Sequence, residues 1–195
     1  MDIILASKSP QRKKILELIN IDFKIEKSNI NEKKFNINHH NPKKYCSNLA
    51  IEKAKKVSIA NKNSLIIGSD TIVYHKNKII GKPKNKKEAL SHLKLLSDSS
   101  HDVYTSVSLI SKAKKINEII IDRTIVTFKK LSLKEINFYI NNYNPEMRAG
   151  SYGIQDWSSK FIKKINGCYY NVVGFPLSKF YILFNRINRK LWQKK

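Results

Sequence analysis

The apolar positions change period repeatedly along the chain, and each change marks an element. Ile3-Ile4-Leu5-Ala6 is a continuous apolar run, so residues 2–6 read as a strand. Beyond Pro10, the residues Ile15, Leu16, Leu18 and Ile19 share one side of a helix over 10–20, with Ser9 placed to cap it. Residues 22–26 predict a second strand, and the Asn-rich stretch 28–41 a loop. Asn41-Pro42 restarts a helix to about residue 61, with Tyr45, Leu49, Ala50, Ala54 and Val57 at helical spacing.

Leu65 to Tyr74 predicts a buried strand interrupted by Gly68-Ser69-Asp70, followed by a short strand over 78–81. Asn85 with Glu88, and Ser132 with Glu135, have the spacing of capping boxes, for helices to about 97 and 142. Residues 101–111 and 116–128 alternate well enough to pair as a hairpin across Lys112–Lys115. Residues 144–160 read as irregular. Phe161–Ile165 and Cys168–Val173 predict a second hairpin around Asn166-Gly167, and Pro176 opens a C-terminal helix. Strands and helices mixed in this order indicate an α/β fold with a mixed sheet. Residues 1–195 contain no internal repeat or linker and read as a single domain with room for two lobes about a central cleft.

Composition narrows the function classes. No apolar run approaches the roughly 20 residues that span a bilayer. No basic stretch precedes the first apolar residues, which argues against a secretory signal. Cys46 and Cys168 have neither metal-ligand spacing nor the look of a disulfide framework, so a reduced, cytoplasmic protein is expected. The net charge of +23 invites a nucleic-acid reading, but 33 of the 38 basic residues are Lys and only 5 are Arg. Base readout and phosphate forks favour Arg. The lysines are spread through every segment, so no specific nucleic-acid partner is expected, only adhesion to polyanions at low salt.

Asp70 is the strongest candidate for chemistry. A carboxylate within Ile66-Ile67-Gly68-Ser69-Asp70-Thr71-Ile72-Val73 is costly to bury unpaired. It reads as a strand-end metal ligand or general base, or as the cap of a neighbouring loop. Ser7, Ser9, Pro10 and Arg12 place hydroxyls and a cation at a helix N-terminus, a natural phosphate site and equally a well-capped first helix. Lys82, between Gly81 and Pro83, presents a cation just past a strand, for a phosphate or as part of a plain turn. Glu32 lies in a polar loop and Lys53 on a helix face, where solvated side chains are the default. Ala149-Gly150-Ser151-Tyr152-Gly153-Ile154-Gln155 ends in an amide able to read a base edge. His39 and His40 read as loop residues. The sequence shows no Walker loop, no Ser/His/Asp pattern and no Cys/His cluster.

Taken in order, Leu-Ala-Ser-x-Ser-Pro-x-Arg, Glu-Lys-Ala, Gly-Ser-Asp-Thr-Ile-Val, Gly-Lys-Pro, Ala-Gly-Ser-Tyr-Gly-Ile-Gln and Asn-Val-Val-Gly-Phe-Pro-Leu resemble the Maf family of nucleoside triphosphate pyrophosphatases. The resemblance implies hydrolysis of a triphosphate to its monophosphate and pyrophosphate. It also implies an elongated mixed β-sheet flanked by helices around a deep cleft, akin to the inosine triphosphatase fold, and a homodimer. Carried onto this chain, Asp70 matches the proton acceptor, and Ser7, Arg12, Lys53 and Lys82 the substrate-binding positions. Glu32, with Asp70, matches a holder of the divalent metal. Gln11, Thr71 and Gln155 fall on the specificity positions, and Thr71 with Gln155 resembles the branch acting on dTTP and UTP. Three departures stand out. Gln11 replaces the first of two arginines, Asn31 replaces an Asp, and Asp156-Trp157 replaces a glycine beside the base.

The same residues support a mechanism on chemical grounds. A triphosphate carries about four negative charges that cations must offset before a nucleophile approaches. Arg12, Lys53, Lys82 and a divalent cation, Mg²⁺ or Mn²⁺, would supply them, and Asp70 would take a proton from the attacking water. The competing class is a basic nucleotide- or RNA-binding regulatory protein without turnover.

Overall fold

The computed structural model describes residues 1–35, 37 and 39–192. The elements in chain order are β1 (Ile3–Leu5), α1 (Pro10–Glu17), β2 (Lys24–Ile25), α2 (Pro42–Ser58), β3 (Leu65–His75), β4 (Lys78–Ile80), α3 (Lys86–Leu96), β5 (Ser100–Ser111), β6 (Ile116–Phe128), α4 (Leu133–Asn142), β7 (Ile162–Asn166), α5 (Tyr169–Val173) and α6 (Leu177–Trp192). Single 3₁₀ turns at Glu32–Lys34, Pro145–Met147, Ala149–Ser151 and Trp157–Phe161 fill the longer connections. The strands form one mixed sheet in the order β2-β1-β3-β5-β6-β7, with β4 also on β3. β1 is parallel to both β2 and β3, and every other pair is antiparallel. This is the α/β fold with a mixed sheet that the pattern predicts.

The helix starts follow local chemistry. Ser9 caps α1 by accepting from the Arg12 amide, and Asn41 caps α2 through Lys44. Ser132 and Glu135 form a complete capping box on α4. The box on α3 is one-sided: Asn85 accepts from the Glu88 amide, while the Glu88 carboxylate turns back to the Lys84 amide at 2.6 Å.

Three expectations are corrected. β3 runs unbroken through Gly68-Ser69-Asp70 because β5 pairs with it from Ile66 to Tyr74. Gly68 is where α2 crosses the strand; a Cβ there would come within 2.8 Å of the Ala54 methyl. The predicted strand over 22–26 shrinks to Lys24–Ile25, the length β1 can pair. The predicted strand over 168–173 is the short helix α5. The turn at Asn166-Gly167 exists, but the Asn171 amide is then drawn to the Val103 carbonyl and the Thr124 hydroxyl, both at 3.0 Å.

Two of the sheet's four core clusters sit at opposite ends of one continuous pair of strands. Leu65 and Ile67 of β3 and Val107 and Leu109 of β5 pack with α1 and α6 through Leu16, Phe180 and Phe184. At the far ends, Val73 and Val103 pack with Leu93, Ile136, Tyr139, Tyr152 and Phe161. Each fully buried Leu, Ile or Phe contributes about 1.5–3 kcal/mol. Between the cores lies a polar waist of Ser69, Asp70, Thr71, Thr105 and Ser106. β1 pairs with β3 only at Leu65–Ile67, and β4 only at Val73–His75. Both use the edge opposite β5, so residues 68–72 of β3 have no strand beside them on that edge among the described residues.

Candidate active site

A cavity of about 980 Å³ opens against this gap, and all nine residues singled out from the sequence line it: Ser7, Gln11, Arg12, Glu32, Lys53, Asp70, Thr71, Lys82 and Gln155. Asp70 is the sixth residue of the eleven in β3, mid-strand rather than at a strand end as expected. It meets the cavity because the neighbouring strand stops short. Lys53, one of the buried residues of α2, reaches across to it, with Nζ 2.6 Å from Asp70 Oδ1 and 2.7 Å from Glu32 Oε1. One ammonium therefore bridges two carboxylates from distant segments. Burial works against the Lys53 charge, but Asp70 and Glu32 prevail and hold its pKa above the ordinary range. Burial would likewise raise the Glu32 carboxyl, yet Lys53, Lys82 and Arg12 keep it below the usual value.

Arg12 projects from the first turns of α1 and is gripped on three sides. Nε donates to the Gly174 carbonyl at 3.0 Å, Nη1 to Ser7 Oγ at 3.1 Å, and Nη2 to Thr71 Oγ1 at 3.1 Å. Ser7 therefore acts partly as an anchor for the guanidinium. Gln11 sits beside it, its amide oxygen 3.5 Å from Ser9 Oγ. Gly174 adopts φ +120°, a left-handed backbone conformation that glycine takes without strain.

Lys82 stands at the solvent-exposed rim. Its carrier loop is tied down by the buried Pro83 and by the Gly150 amide, which donates to the Gly81 carbonyl at 3.0 Å. Partial burial, together with Arg12 and Lys53, pulls the Lys82 pKa down against Glu32. Gln155 is exposed at the same mouth. Trp157 is not among the lining residues. It packs among Phe138, Tyr139, Tyr143 and Phe161, and Asp156 spends its carboxylate on Ser158, Tyr139 and Arg148. The Asp156-Trp157 departure thus builds the far core rather than crowding a base.

Sequence reasoning missed Arg148. It lines the cavity and pairs with Asp156 at 3.5 Å. As one basic residue among 38 in an irregular segment, it carried no separating signal. A serine–histidine–glutamate contact also forms: His92 Nδ1 lies 2.8 Å from Ser151 Oγ, and His92 Nε2 3.9 Å from Glu88. Ser151 is fully buried, so this contact braces a turn and offers no nucleophile. Cys46 lies beneath the site, its thiol donating to the Asp70 carbonyl, and burial pushes its pKa well up. His39, read as a loop residue, accepts from the Ile79 amide at 2.9 Å and so ties its turn to β4.

The donor set suits a hard divalent cation that is shared with a ligand. No group of three or more His, Cys, Asp or Glu side chains forms a metal cage among the described residues. Glu32 and Asp70, drawn within a few ångströms of each other by Lys53, are a carboxylate pair. Mg²⁺ characteristically takes one or two carboxylates and completes its shell with water and phosphate oxygens. The geometry as a whole can grip a polyanion and offer a carboxylate to a water beside it. Among the described residues, no helix is long and apolar enough to cross a membrane.

The family model described as Maf-like protein matches residues 2–187. A Thermosipho melanesiensis protein named dTTP/UTP pyrophosphatase is 46% identical over 187 residues, covering 95% of this chain and 98% of its own. A Bacillus cereus protein of the same name is 43% identical over 178 residues, 91% of each chain. Among solved structures, the Staphylococcus aureus Ham1 protein aligns over 66% of this chain and 72% of its own, at 12% identity and a TM-score of 0.45.

Proposed function

The chain belongs to the Maf family, and from that premise we propose that it hydrolyses nucleoside triphosphates, dTTP and UTP foremost, to the monophosphate and pyrophosphate. The observation that carries the reading is the convergence of Arg12, Lys53 and Lys82 with Asp70 and Glu32 on one cavity. Three cations there face a substrate whose charge must be offset before attack. Asp70 accepts the proton of a water whose oxygen bonds to the α-phosphorus. The bond from that phosphorus to the bridging oxygen breaks, and pyrophosphate leaves with its charge balanced by Lys82 and Arg12. Lys53 keeps the two carboxylates together and itself charged. Glu32 and Asp70 would hold Mg²⁺ or Mn²⁺ with the phosphate oxygens, and the cation would supply further charge neutralisation.

Support for the pyrimidine preference comes from the named activity of the relatives and from Thr71 and Gln155 on the cavity wall. A glutamine offers both a donor and an acceptor to a uracil or thymine edge. The remaining parts of the reading are a cytoplasmic setting with two free thiols, no specific nucleic-acid partner, and the homodimer implied by family likeness. Pyrophosphate release from a panel of triphosphates with Mg²⁺ or Mn²⁺ tests the proposal. Tight nucleotide or RNA binding without release would favour the regulatory alternative.

A further inference from the structure

The hydroxyl of Thr71 belongs to a hydrogen-bond chain whose direction can be worked out. Thr105 Oγ1 donates to the Asn171 carbonyl at 2.7 Å, and a carbonyl can only accept. A hydroxyl has one proton, so in the 3.0 Å contact between Thr105 and Thr71 the donor is Thr71. Arg12 Nη2 in turn donates to Thr71 Oγ1. Every link therefore runs one way, from the guanidinium through two hydroxyls to the Asn171 carbonyl in the middle of α5. Gly174, just past α5, receives Arg12 Nε at its carbonyl. Thr71 and Thr105 are opposed in register on β3 and β5, which fixes the middle link. The Asn171 side chain, bound to Val103 and Thr124, pins the far end.

We propose that Thr105 is a positioning residue that sets the Arg12 guanidinium at the cavity wall through Thr71, and that Thr71 influences substrate choice through Arg12 rather than by touching the base. Thr105 is fully buried and cannot meet a substrate. The Thr71 proton is committed to Thr105, so that hydroxyl has no donor left for a base carbonyl. Without the Thr105 hydroxyl, Thr71 Oγ1 is no longer held in place, and one of the three tethers on Arg12 is loosened. Pre-set donors are what a site gains by such buried support, since the geometry is then in place before substrate arrives.

The proposal rests on the pyrophosphatase reading, and the test keeps the two separable. Thr105→Val keeps the shape and removes the hydroxyl; Thr105→Ser keeps the hydroxyl. Thr105→Val is expected to lower kcat/KM for dTTP about 10-fold or more, with Thr105→Ser within about 3-fold of wild type. The decisive measurement is a double-mutant cycle: in an Arg12→Ala background, Thr105→Val should have little further effect. An equal fold-loss in both backgrounds would overturn the proposal, as would wild-type kinetics in Thr105→Val. A readout independent of turnover is the NMR signal of the Arg12 Nη2 protons, the ones that donate to Thr71, assigned by its loss in Arg12→Lys. It should be slow to exchange in wild type and Thr105→Ser and fast in Thr105→Val. An unchanged exchange rate refutes the positioning role even if no triphosphate is hydrolysed, and absence of wild-type turnover refutes the pyrophosphatase reading alone.

Discussion

Replacing Asp70 by asparagine preserves the shape of the side chain and removes its charge. The structure sets the stability cost. Lys53 Nζ loses its partner at 2.6 Å but keeps Glu32 at 2.7 Å, and an asparagine oxygen can still accept from it. Deleting one partner of a buried ion pair usually costs about 3–5 kcal/mol. With a second carboxylate in place, the expected loss is about 1–2 kcal/mol. For a domain of this size that is a fall in Tm of roughly 2–8 °C, and the protein stays folded at 25 °C. Activity should suffer far more. Removing a positioned general base costs about 10²–10⁴-fold, or about 3–5 kcal/mol of barrier. The assay is pyrophosphate release from dTTP, read alongside far-UV circular dichroism and a thermal melt of the same sample. A folded Asp70→Asn protein that keeps more than a tenth of wild-type turnover would refute Asp70 as the proton acceptor.

Four further outcomes are expected. Lys53→Ala and Lys82→Ala should each lose about 10-fold or more in kcat/KM, whereas Lys87→Ala on the exposed face of α3 should be neutral; equal kinetics in all three would place the phosphates elsewhere. Excess EDTA should abolish turnover and added Mg²⁺ or Mn²⁺ restore it; full activity in chelator would remove Glu32 from the proposed metal role. Under one metal condition, kcat/KM should rank dTTP and UTP above ATP, GTP and 7-methyl-GTP, and a purine ahead of both pyrimidines would refute the branch assignment. Burial, reinforced by His75, pushes the His101 pKa down to about 3. The unfolded imidazole, near its ordinary value of about 6.5, then binds a proton that the folded one does not. Stability is complete above about pH 6.5 and falls as pH drops toward about 3, by up to ~1.4 kcal/mol per unit. Urea denaturation at pH 7.5 and 5.5 should show this slope in wild type and a flatter one in His101→Gln; equal slopes would refute it.

Asp70 and Lys82 were legible in the sequence because their residue types are rare in their surroundings, whereas Glu32, Lys53 and Gln11 were picked out only by the family resemblance. A carboxylate in a run of Ile and Val, and a lysine between Gly and Pro, are conspicuous whatever the fold, and both line the cavity. Helix starts were legible because capping is local, as Ser9, Asn41 and Ser132 show. Helix ends were less so: α1 stops at Glu17, short of the expected residue 20. Residues 168–173 were misread because Tyr-Tyr-Asn-Val-Val has strand-type composition, while the bonds that wind it into α5 come from Val103 and Thr124.

By itself the sequence determined the class of the fold, the order of most elements and the conspicuous charges at Asp70 and Lys82, since periodicity, caps and charge are properties of short stretches. Only the tertiary structure decided how those residues are used. Asp70 faces a cavity because β1 ends at Leu5 and β4 begins its pairing at Val73, a gap made by three strands and written in none of them. Lys53 becomes the bridge between Glu32 and Asp70 only when α2 is laid across β3 at Gly68. Arg12 owes its orientation to Gly174, 162 residues away. Contacts at such separations depend on the packing of the whole sheet and its cores, and a local pattern carries no record of them.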